Sequence, residues 1–183
     1  VLPHEIGQLT SLVELDLGLN ELTELPPEIG NLTNLTNLKA DRNRLKTLPP
    51  EIGNLRDLTQ LNVGANDLAE LPPEIGNLTN LTNLQLGHSR MSHRHNQLTR
   101  LPPEIGNMAS LTWLNLYRNY LNELPAEIGN LTNLKFLNLD DNRLSALPST
   151  IGKLANLHIL DLTNNELNEL PREIGKLTGL NEL

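Results

Sequence analysis

The sequence predicts an α/β solenoid, in which similar coils stack and bury a face of leucines between them. The 183 residues include 44 Leu and 25 Asn but only four aromatic residues. The core must therefore repeat the same small arrangement of Leu side chains many times along the chain. The motif LxxLxLxxNxLxxLPxxIGxLxx recurs along the whole chain, and six of its seven intervals are 23 residues long. A coil of this length cannot bury its Leu face alone, so neighbouring coils must do so for one another.

Each repeat is expected to begin with a short strand and to end in one helical turn. In the first complete repeat, Leu15 and Leu17 alternate with Glu14 and Asp16, which indicates a strand with one buried face. The Leu-Pro-Pro stretch that follows should be extended, because proline fixes φ and disfavours a helix before it. Residues 28–32 then have room for about one turn of α- or 3₁₀-helix.

An asparagine recurs where each coil turns inward, and we predict that these residues form a ladder. A carboxamide at that position can satisfy backbone groups of its own coil and of the neighbouring one. The predicted ladder consists of Asn20, Asn43, Asn66, Asn96, Asn119, Asn142 and Asn165.

The repeats predict a single domain over residues 1–183. It divides into a partial repeat (1–11), seven repeats (12–179) with a seven-residue insertion within 87–96, and the start of a further repeat (180–183). Neither end shows a capping segment. We therefore interpret the chain as a fragment of a longer protein, with uncapped ends that allow self-association. A designed, near-consensus array is the alternative interpretation.

Composition and missing motifs exclude several classes of function. The chain has no Cys, and its net charge of −8 disfavours a nucleic-acid partner. No apolar run approaches the ~20 residues of a membrane-spanning helix, so no membrane partner is expected. Because the motifs of serine hydrolases, phosphate loops, zinc proteases and dinucleotide-binding folds are missing, we predict no enzymatic activity, no catalytic residue, no cofactor and no metal.

The repeated LPxxIGxL phrase resembles the leucine-rich repeat family over the whole chain. It is most similar to the 23-residue repeats of Ras-group scaffolds, Roco-type GTPase proteins and bacterial arrays. The resemblance implies a right-handed horseshoe with a parallel sheet on the concave face and short helical or 3₁₀ turns on the convex side. It also implies a protein partner, since family members mostly bind proteins on the concave face. The lack of Cys-rich caps favours a cytoplasmic protein.

Candidate binding residues are the outward positions of the strands where the repeats stop being alike. The first outward row is polar over four repeats and then reads Trp113, Phe136 and Ile159, about 4.8 Å apart on adjacent strands. Buried aromatics are one alternative, and a stabilising cross-strand ladder is another. We favour a partner-binding patch made of Trp113, Tyr117, Phe136, Ile159, Arg118, Asn115 and Asn138.

The insertion is the second departure from the repeat. Two registers are open: Ser89 and Met91, or Asn96 and Leu98, occupy the Asn and Leu positions of the turn. We favour Asn96 and Leu98, because an amide satisfies more backbone groups than a hydroxyl. The extra residues would then bulge beside the aromatic patch.

Three interpretations of this insertion loop stay open: a solvated mobile loop, a basic recognition loop for an acidic partner or phosphate, and a metal site at His88, His93 and His95. The loop residues singled out are His88, Arg90, Met91, His93, Arg94 and His95.

The sequence thus predicts a non-catalytic protein-protein interaction module whose partner binds the concave face of the C-terminal half. Arg118 and residues 88–95 would form its polar rim. The alternative function is a structural spacer, or a designed repeat scaffold without a natural ligand at this site.

Overall fold

The strands of the repeats form one parallel sheet, and each strand is three residues long. The computed structural model describes residues 1–87 and 94–183. Within these residues the sheet has seven strands in sequence order, and it stays open. An isolated bridge between Ile159 and Glu182 continues the pairing beyond the last strand. The strands are β1 (Glu14–Asp16), β2 (Asn37–Lys39), β3 (Gln60–Asn62), β4 (Asn83–Gln85), β5 (Trp113–Asn115), β6 (Phe136–Asn138) and β7 (Ile159–Asp161).

The pairing register places the central leucine of every strand opposite that of the next strand. Leu61 pairs with Leu84, and Leu84 pairs with Leu114. From β2 to β7 these leucines are almost entirely buried, whereas the residues on either side of them lie on the outer face. The core is therefore a continuous stack of leucines and isoleucines, with Met108 in one leucine position.

On the opposite side, each coil forms one 3₁₀ turn of five residues. The prolines before these turns have extended backbone angles, as at Pro72 (φ −66°, ψ 144°), and the turn itself often begins with the second proline. The fold class predicted from the sequence is thereby confirmed. The turns are η1 (His4–Gln8), η2 (Pro27–Asn31), η3 (Pro50–Asn54), η4 (Pro73–Asn77), η5 (Pro103–Asn107), η6 (Ala126–Asn130), η7 (Ser149–Lys153) and η8 (Arg172–Lys176).

The recurring glycine lets successive 3₁₀ turns approach closely. A Cβ atom at Gly129 would lie 2.4 Å from the carbonyl oxygen of Thr150 on the next coil. Gly175 belongs to η8 and would meet no atom within 4 Å. The glycine is therefore required by the contact between coils.

The asparagine ladder is present, and each interior member joins two coils. Asn66 accepts a hydrogen bond from the Leu45 amide at 3.0 Å. Its amide nitrogen donates to the carbonyl oxygens of Ala40 at 2.9 Å and Val63 at 3.0 Å. Asn20, at the start of the ladder, is exposed and donates only to its own coil among the contacts described. No buried side-chain nitrogen or oxygen of the described residues lacks a hydrogen-bond partner.

At the insertion, Asn96 and Leu98 occupy the ladder and leucine positions, and both are fully buried. Asn96 accepts from the Leu68 amide at 3.1 Å and donates to the carbonyl oxygens of Val63 and Leu86. This geometry matches the register that the sequence favours. The competing positions, Ser89 and Met91, lie outside the described residues.

Two further ladders were not predicted. Thr36, Thr59, Thr82 and Thr112 each donate a hydroxyl hydrogen bond to a carbonyl oxygen of the preceding coil, at 3.0–3.2 Å. Near the 3₁₀ turns, Asn34, Asn80, Asn133 and Asn156 do the same with their amide nitrogens, at 2.8–2.9 Å. Both sets bind adjacent coils together at the margins of the sheet.

No helix within residues 1–87 and 94–183 has the length and apolar character needed to cross a bilayer.

Candidate functional site

The outer face of strands β5–β7 carries an apolar patch on an otherwise polar sheet. Trp113 pairs with Phe136 across the β5–β6 register, and Phe136 pairs with Ile159 across β6–β7. The two aromatic rings are stacked, with centroids 3.7 Å apart and planes 10° apart. Trp113 keeps 39% of its surface exposed, while Phe136 and Ile159 are half-buried. We call Trp113, Phe136 and Ile159 the apolar platform.

A shallow depression of about 330 Å³ lies against this platform. Its walls are the three platform residues and the three residues that immediately precede them in the chain, Thr112, Lys135 and His158. Lys135 and His158 are exposed. The depression therefore has an apolar floor and a polar margin on the side where the strands begin.

Tyr117 does not share this exposure, which corrects the expectation that it lies on the open face. Only 8% of its surface is accessible. It lies two residues after the end of β5, and its amide donates to Asn115 Oδ1 at 3.0 Å, so the chain turns here. The neighbouring coil has Gly87 at this level, and a Cβ atom there would lie 2.5 Å from the Tyr117 backbone nitrogen. The backbones of the two coils therefore approach closely where Tyr117 is buried.

Asn115 and Asn138 have a structural role that sequence reasoning missed. Each uses its carboxamide oxygen to accept the backbone amide two residues later, at 3.0 Å for Tyr117 and 2.8 Å for Asp140. Asp16, Asn62 and Asp161 close their strands in the same way. The signal was in the sequence, since short Asx turns favour Asn and Asp. The amide group of Asn115 also donates to Gln85 Oε1 at 3.0 Å, so both ends of this carboxamide are engaged within the sheet.

Arg118 lies in the turn before the ladder residue Asn119 and has a left-handed backbone with φ of 52°. Its guanidinium pairs with the Asp141 carboxylate at 3.2 Å. Five other residues at this position of the repeat are also left-handed: Leu19, Arg42, Ala65, Asp141 and Asn164. The position of Arg118 is thus set by the scaffold, and its charge is already paired.

The described end of the insertion contacts both of its neighbouring coils. Arg94 pairs with the Asp67 carboxylate at 3.3 Å. The ring of His95 meets the edge of Tyr120 with centroids 5.4 Å apart, and Arg143 lies 4.3 Å above the same Tyr120 ring. Tyr120 therefore belongs to a cluster at the strand ends and is separate from the apolar platform.

Four of the predicted loop residues, His88, Arg90, Met91 and His93, lie outside the described residues. The proposed three-histidine metal site depends on two of them. In the remainder of the chain, no three His, Asp or Glu side chains are close enough together to hold a metal ion.

Three family models match parts of this chain. A leucine-rich repeat region family matches residues 126–183, and leucine-rich repeat families match residues 94–144 and 11–32. This chain is a leucine-rich repeat protein. The parallel sheet, the 3₁₀ turns and the asparagine ladder all agree with that assignment. A search of curated protein sequences found no significant match.

Solved structures of leucine-rich repeat proteins have the same fold. A leucine-rich repeat protein of Leptospira interrogans is 39% identical with a TM-score of 0.86, and the alignment covers 100% of this chain and 51% of that one. The leucine-rich repeat domain of the type III effector XopL is 26% identical with a TM-score of 0.79, covering 100% of this chain and 71% of that one. This leucine-rich repeat chain thus spans about half the length of the Leptospira protein.

A plant relative was solved with a ligand. The ectodomain of the receptor kinase GASSHO1/SCHENGEN3 from Arabidopsis thaliana, in complex with CASPARIAN STRIP INTEGRITY FACTOR 2, is 29% identical with a TM-score of 0.58. The alignment covers 100% of this chain and 28% of the receptor chain.

Proposed function

We propose that this leucine-rich repeat chain is a non-catalytic module that binds a protein partner on the concave face of its C-terminal half. The stacked pair of Trp113 and Phe136 is the observation that carries the proposal. Exposed aromatic residues ringed by polar ones mark interaction sites, and Trp is enriched among residues that dominate binding energy. The bound ectodomain of the Arabidopsis receptor kinase is a precedent for ligand binding within the same fold family.

The expected contacts follow from exposure. Trp113 supplies the largest accessible apolar surface of the platform, and Phe136 and Ile159 extend it across two further strands. Arg118 and the 94–95 end of the insertion contribute a polar rim that orients the partner. Tyr117 offers a partner little surface, because only 8% of it is accessible.

Other aspects of the proposal rest on the sequence. The net charge of −8 makes an acidic nucleic-acid backbone an unfavourable partner. The proposed module uses no cofactor and no metal, works without a membrane partner, and acts in the cytoplasm. Association between copies through their terminal coils is a separate proposal, tested by the oligomeric state in solution.

The experiment is a pull-down from a lysate of the source organism with three baits: the intact chain, a Trp113→Ala/Phe136→Ala variant, and an Asn37→Ala/Gln60→Ala control on the same outward row. We expect a partner that the intact chain and the control retain and the aromatic variant loses. Circular dichroism must show that all three baits fold alike. Equal retention by all three would contradict the proposal.

The second candidate function is a spacer that sets distance and rigidity. It is favoured by the polar, nearly uniform face of strands β1–β4, which offers no apolar surface comparable to the platform. A spacer predicts no capture that depends on Trp113, so the same pull-down distinguishes the two functions.

A further inference from the structure

The residue that precedes each strand departs from the repeat before β6 and β7, two of the three strands that carry the apolar platform. The residue before each strand is Thr in four successive coils, and each hydroxyl donates to the carbonyl oxygen of the preceding coil. The next two positions of this row are Lys135 and His158. Before β6 and β7, Lys135 and His158 thus stand in place of the threonine whose hydroxyl group binds the preceding coil elsewhere in the row.

Lys135 borders the depression directly and lies between Thr112 and His158 along this row. Its side chain is exposed, and no ion pair involves it among residues 1–87 and 94–183. Lys135 therefore places a positive charge at the margin of an apolar depression, where it can attract the carboxylate of a ligand whose apolar group packs on the platform.

His158 adds a second polar group to the same margin. Its Nδ1 lies 2.7 Å from the carbonyl oxygen of Asn156, which can only accept, so Nδ1 carries a hydrogen. This contact orients the ring, and in the neutral ring it leaves Nε2 as a hydrogen-bond acceptor for a donor group of a ligand. Both residues stand on the side of the depression where the strands begin.

Among the described residues, the other margins of the platform carry neutral or acidic side chains, and the Arg118 guanidinium beyond the strand ends is already paired with Asp141. At the strand ends, the row reads Asn115, Asn138 and Asp161, and Asp161 uses its carboxylate to close the turn after β7. Beyond Ile159, the paired position of the sheet is occupied by Glu182. Within the described residues, a negative group on a ligand is therefore most favoured on the Lys135 side.

We propose that the platform binds a partner segment in which a large apolar side chain stands next to an Asp or Glu. The apolar side chain packs on Trp113 and Phe136, and the carboxylate meets Lys135 with His158 beside it. This inference rests on the proposed function, and it adds the chemistry of the segment and its orientation across the strands.

The test is selection of a random peptide display library on the immobilised full chain, followed by affinity measurements with the most enriched peptide. We expect enriched peptides to combine Trp, Phe or Leu with Asp or Glu within two residues. Changing that acid to its amide should weaken binding at least tenfold. The Lys135→Glu variant should bind the acidic peptide at least tenfold more weakly than the unmodified chain does. It should instead prefer a version of the peptide in which the acidic residue is replaced by Lys.

A matched control is Lys46→Glu, which makes the same change of charge at an exposed position after the strand end of another coil. It should bind the acidic peptide like the unmodified chain. Circular dichroism of both variants checks that the fold is unchanged.

The outcomes separate the two proposals. Some selected peptides could depend on Trp113 for binding and yet bind the Lys135→Glu variant as tightly as the unmodified chain. This result would overturn the present inference but would not contradict the proposed function. Selection that yields no peptide dependent on Trp113 would count against both. Enrichment of basic peptides that depend on Trp113 would overturn the assigned charge preference.

Discussion

The outer faces of strands β1–β4 and β5–β7 differ in chemistry, although the scaffold behind them is the same. On the first face, polar side chains satisfy one another: Lys39 pairs with Asp16 at 3.7 Å, and Asn37 donates to Glu14 at 3.2 Å. On the second face, Trp113 and Phe136 stack and border an open depression. Both faces have the same register, the same buried leucines and the same ladder.

This difference shows that the scaffold does not require aromatic residues on the sheet. The first four strands form without aromatic residues, so the fold does not require the aromatic stack at β5–β6. The proposed binding role accounts for the exposure of the only Trp of the chain.

The largest expected effect tests whether the scaffold is indeed the same in both halves. Asn66→Ala and Asn142→Ala each remove an acceptor for a buried amide and a donor to buried carbonyl groups of two coils. We expect each change to lower the free energy of unfolding by about 3 kcal/mol, because buried backbone groups lose their partners. Urea denaturation measures the loss. The exposed Asn20→Ala is the control and should cost under about 1 kcal/mol; unequal losses at Asn66 and Asn142 would break the comparison.

The glycines of the 3₁₀ turns should give the next largest effect, again in both halves. A methyl group at Gly53 or Gly129 would lie 2.5 Å or 2.4 Å from a carbonyl oxygen of the following coil. We expect Gly53→Ala and Gly129→Ala each to cost about 2 kcal/mol by thermal or urea unfolding, since the coils must move apart. Gly175→Ala, which meets no atom within 4 Å, should leave stability unchanged or slightly higher. A similar loss at Gly175 would refute the close-approach explanation.

A double-mutant cycle sharpens the difference between the faces. Trp113→Ala and Phe136→Ala, alone and together, should reveal a coupling energy of about 1 kcal/mol in urea unfolding, as stacked aromatic pairs do. The corresponding cycle on Asn37 and Gln60 should give a coupling near zero. If the aromatic coupling were several times larger, the stack would have to be regarded mainly as a structural ladder.

The smallest expected effect comes from transferring the aromatic pair to the polar face. Asn37→Trp with Gln60→Phe reproduces the stack on β2 and β3, where the same register applies. We expect stability to change by less than about 1 kcal/mol, because these positions face outward and cross-strand pairs contribute little. Calorimetric unfolding measures this. A loss above about 2 kcal/mol would mean that the polar face itself supports the solenoid.

The sequence predicted the fold well because its signals are local and repeated. The period of Leu, Pro and Gly indicated the coil, and the recurring Asn indicated the ladder, which the hydrogen bonds of Asn66 and Asn142 confirm. Amide chemistry alone favoured Asn96 over Ser89 at the insertion, and the structure has Asn96 on the ladder. The partner-binding role of the platform and the chemistry of the insertion loop stay predictions.

Other features depend on contacts between coils, which a single repeat does not show. Alternation placed Tyr117 on the open face, but only 8% of its surface is accessible in the stacked coils. Asn115 and Asn138 were expected to serve a partner, yet their oxygens close the turns after β5 and β6. Lining up the position before each strand would have revealed Lys135 and His158, since four threonines precede them in that row.

The sequence by itself determined which residues face inward, where each coil turns and which outward positions depart from the repeat, because each of these follows from spacing within one coil. Only the tertiary structure decided which departures act together. Stacking of the coils brings Trp113, Phe136 and Lys135 to one depression and separates them from Tyr120, which packs with His95 and Arg143. The physical reason is that contacts between coils depend on register and close approach in three dimensions, whereas the repeat encodes only the path of a single coil.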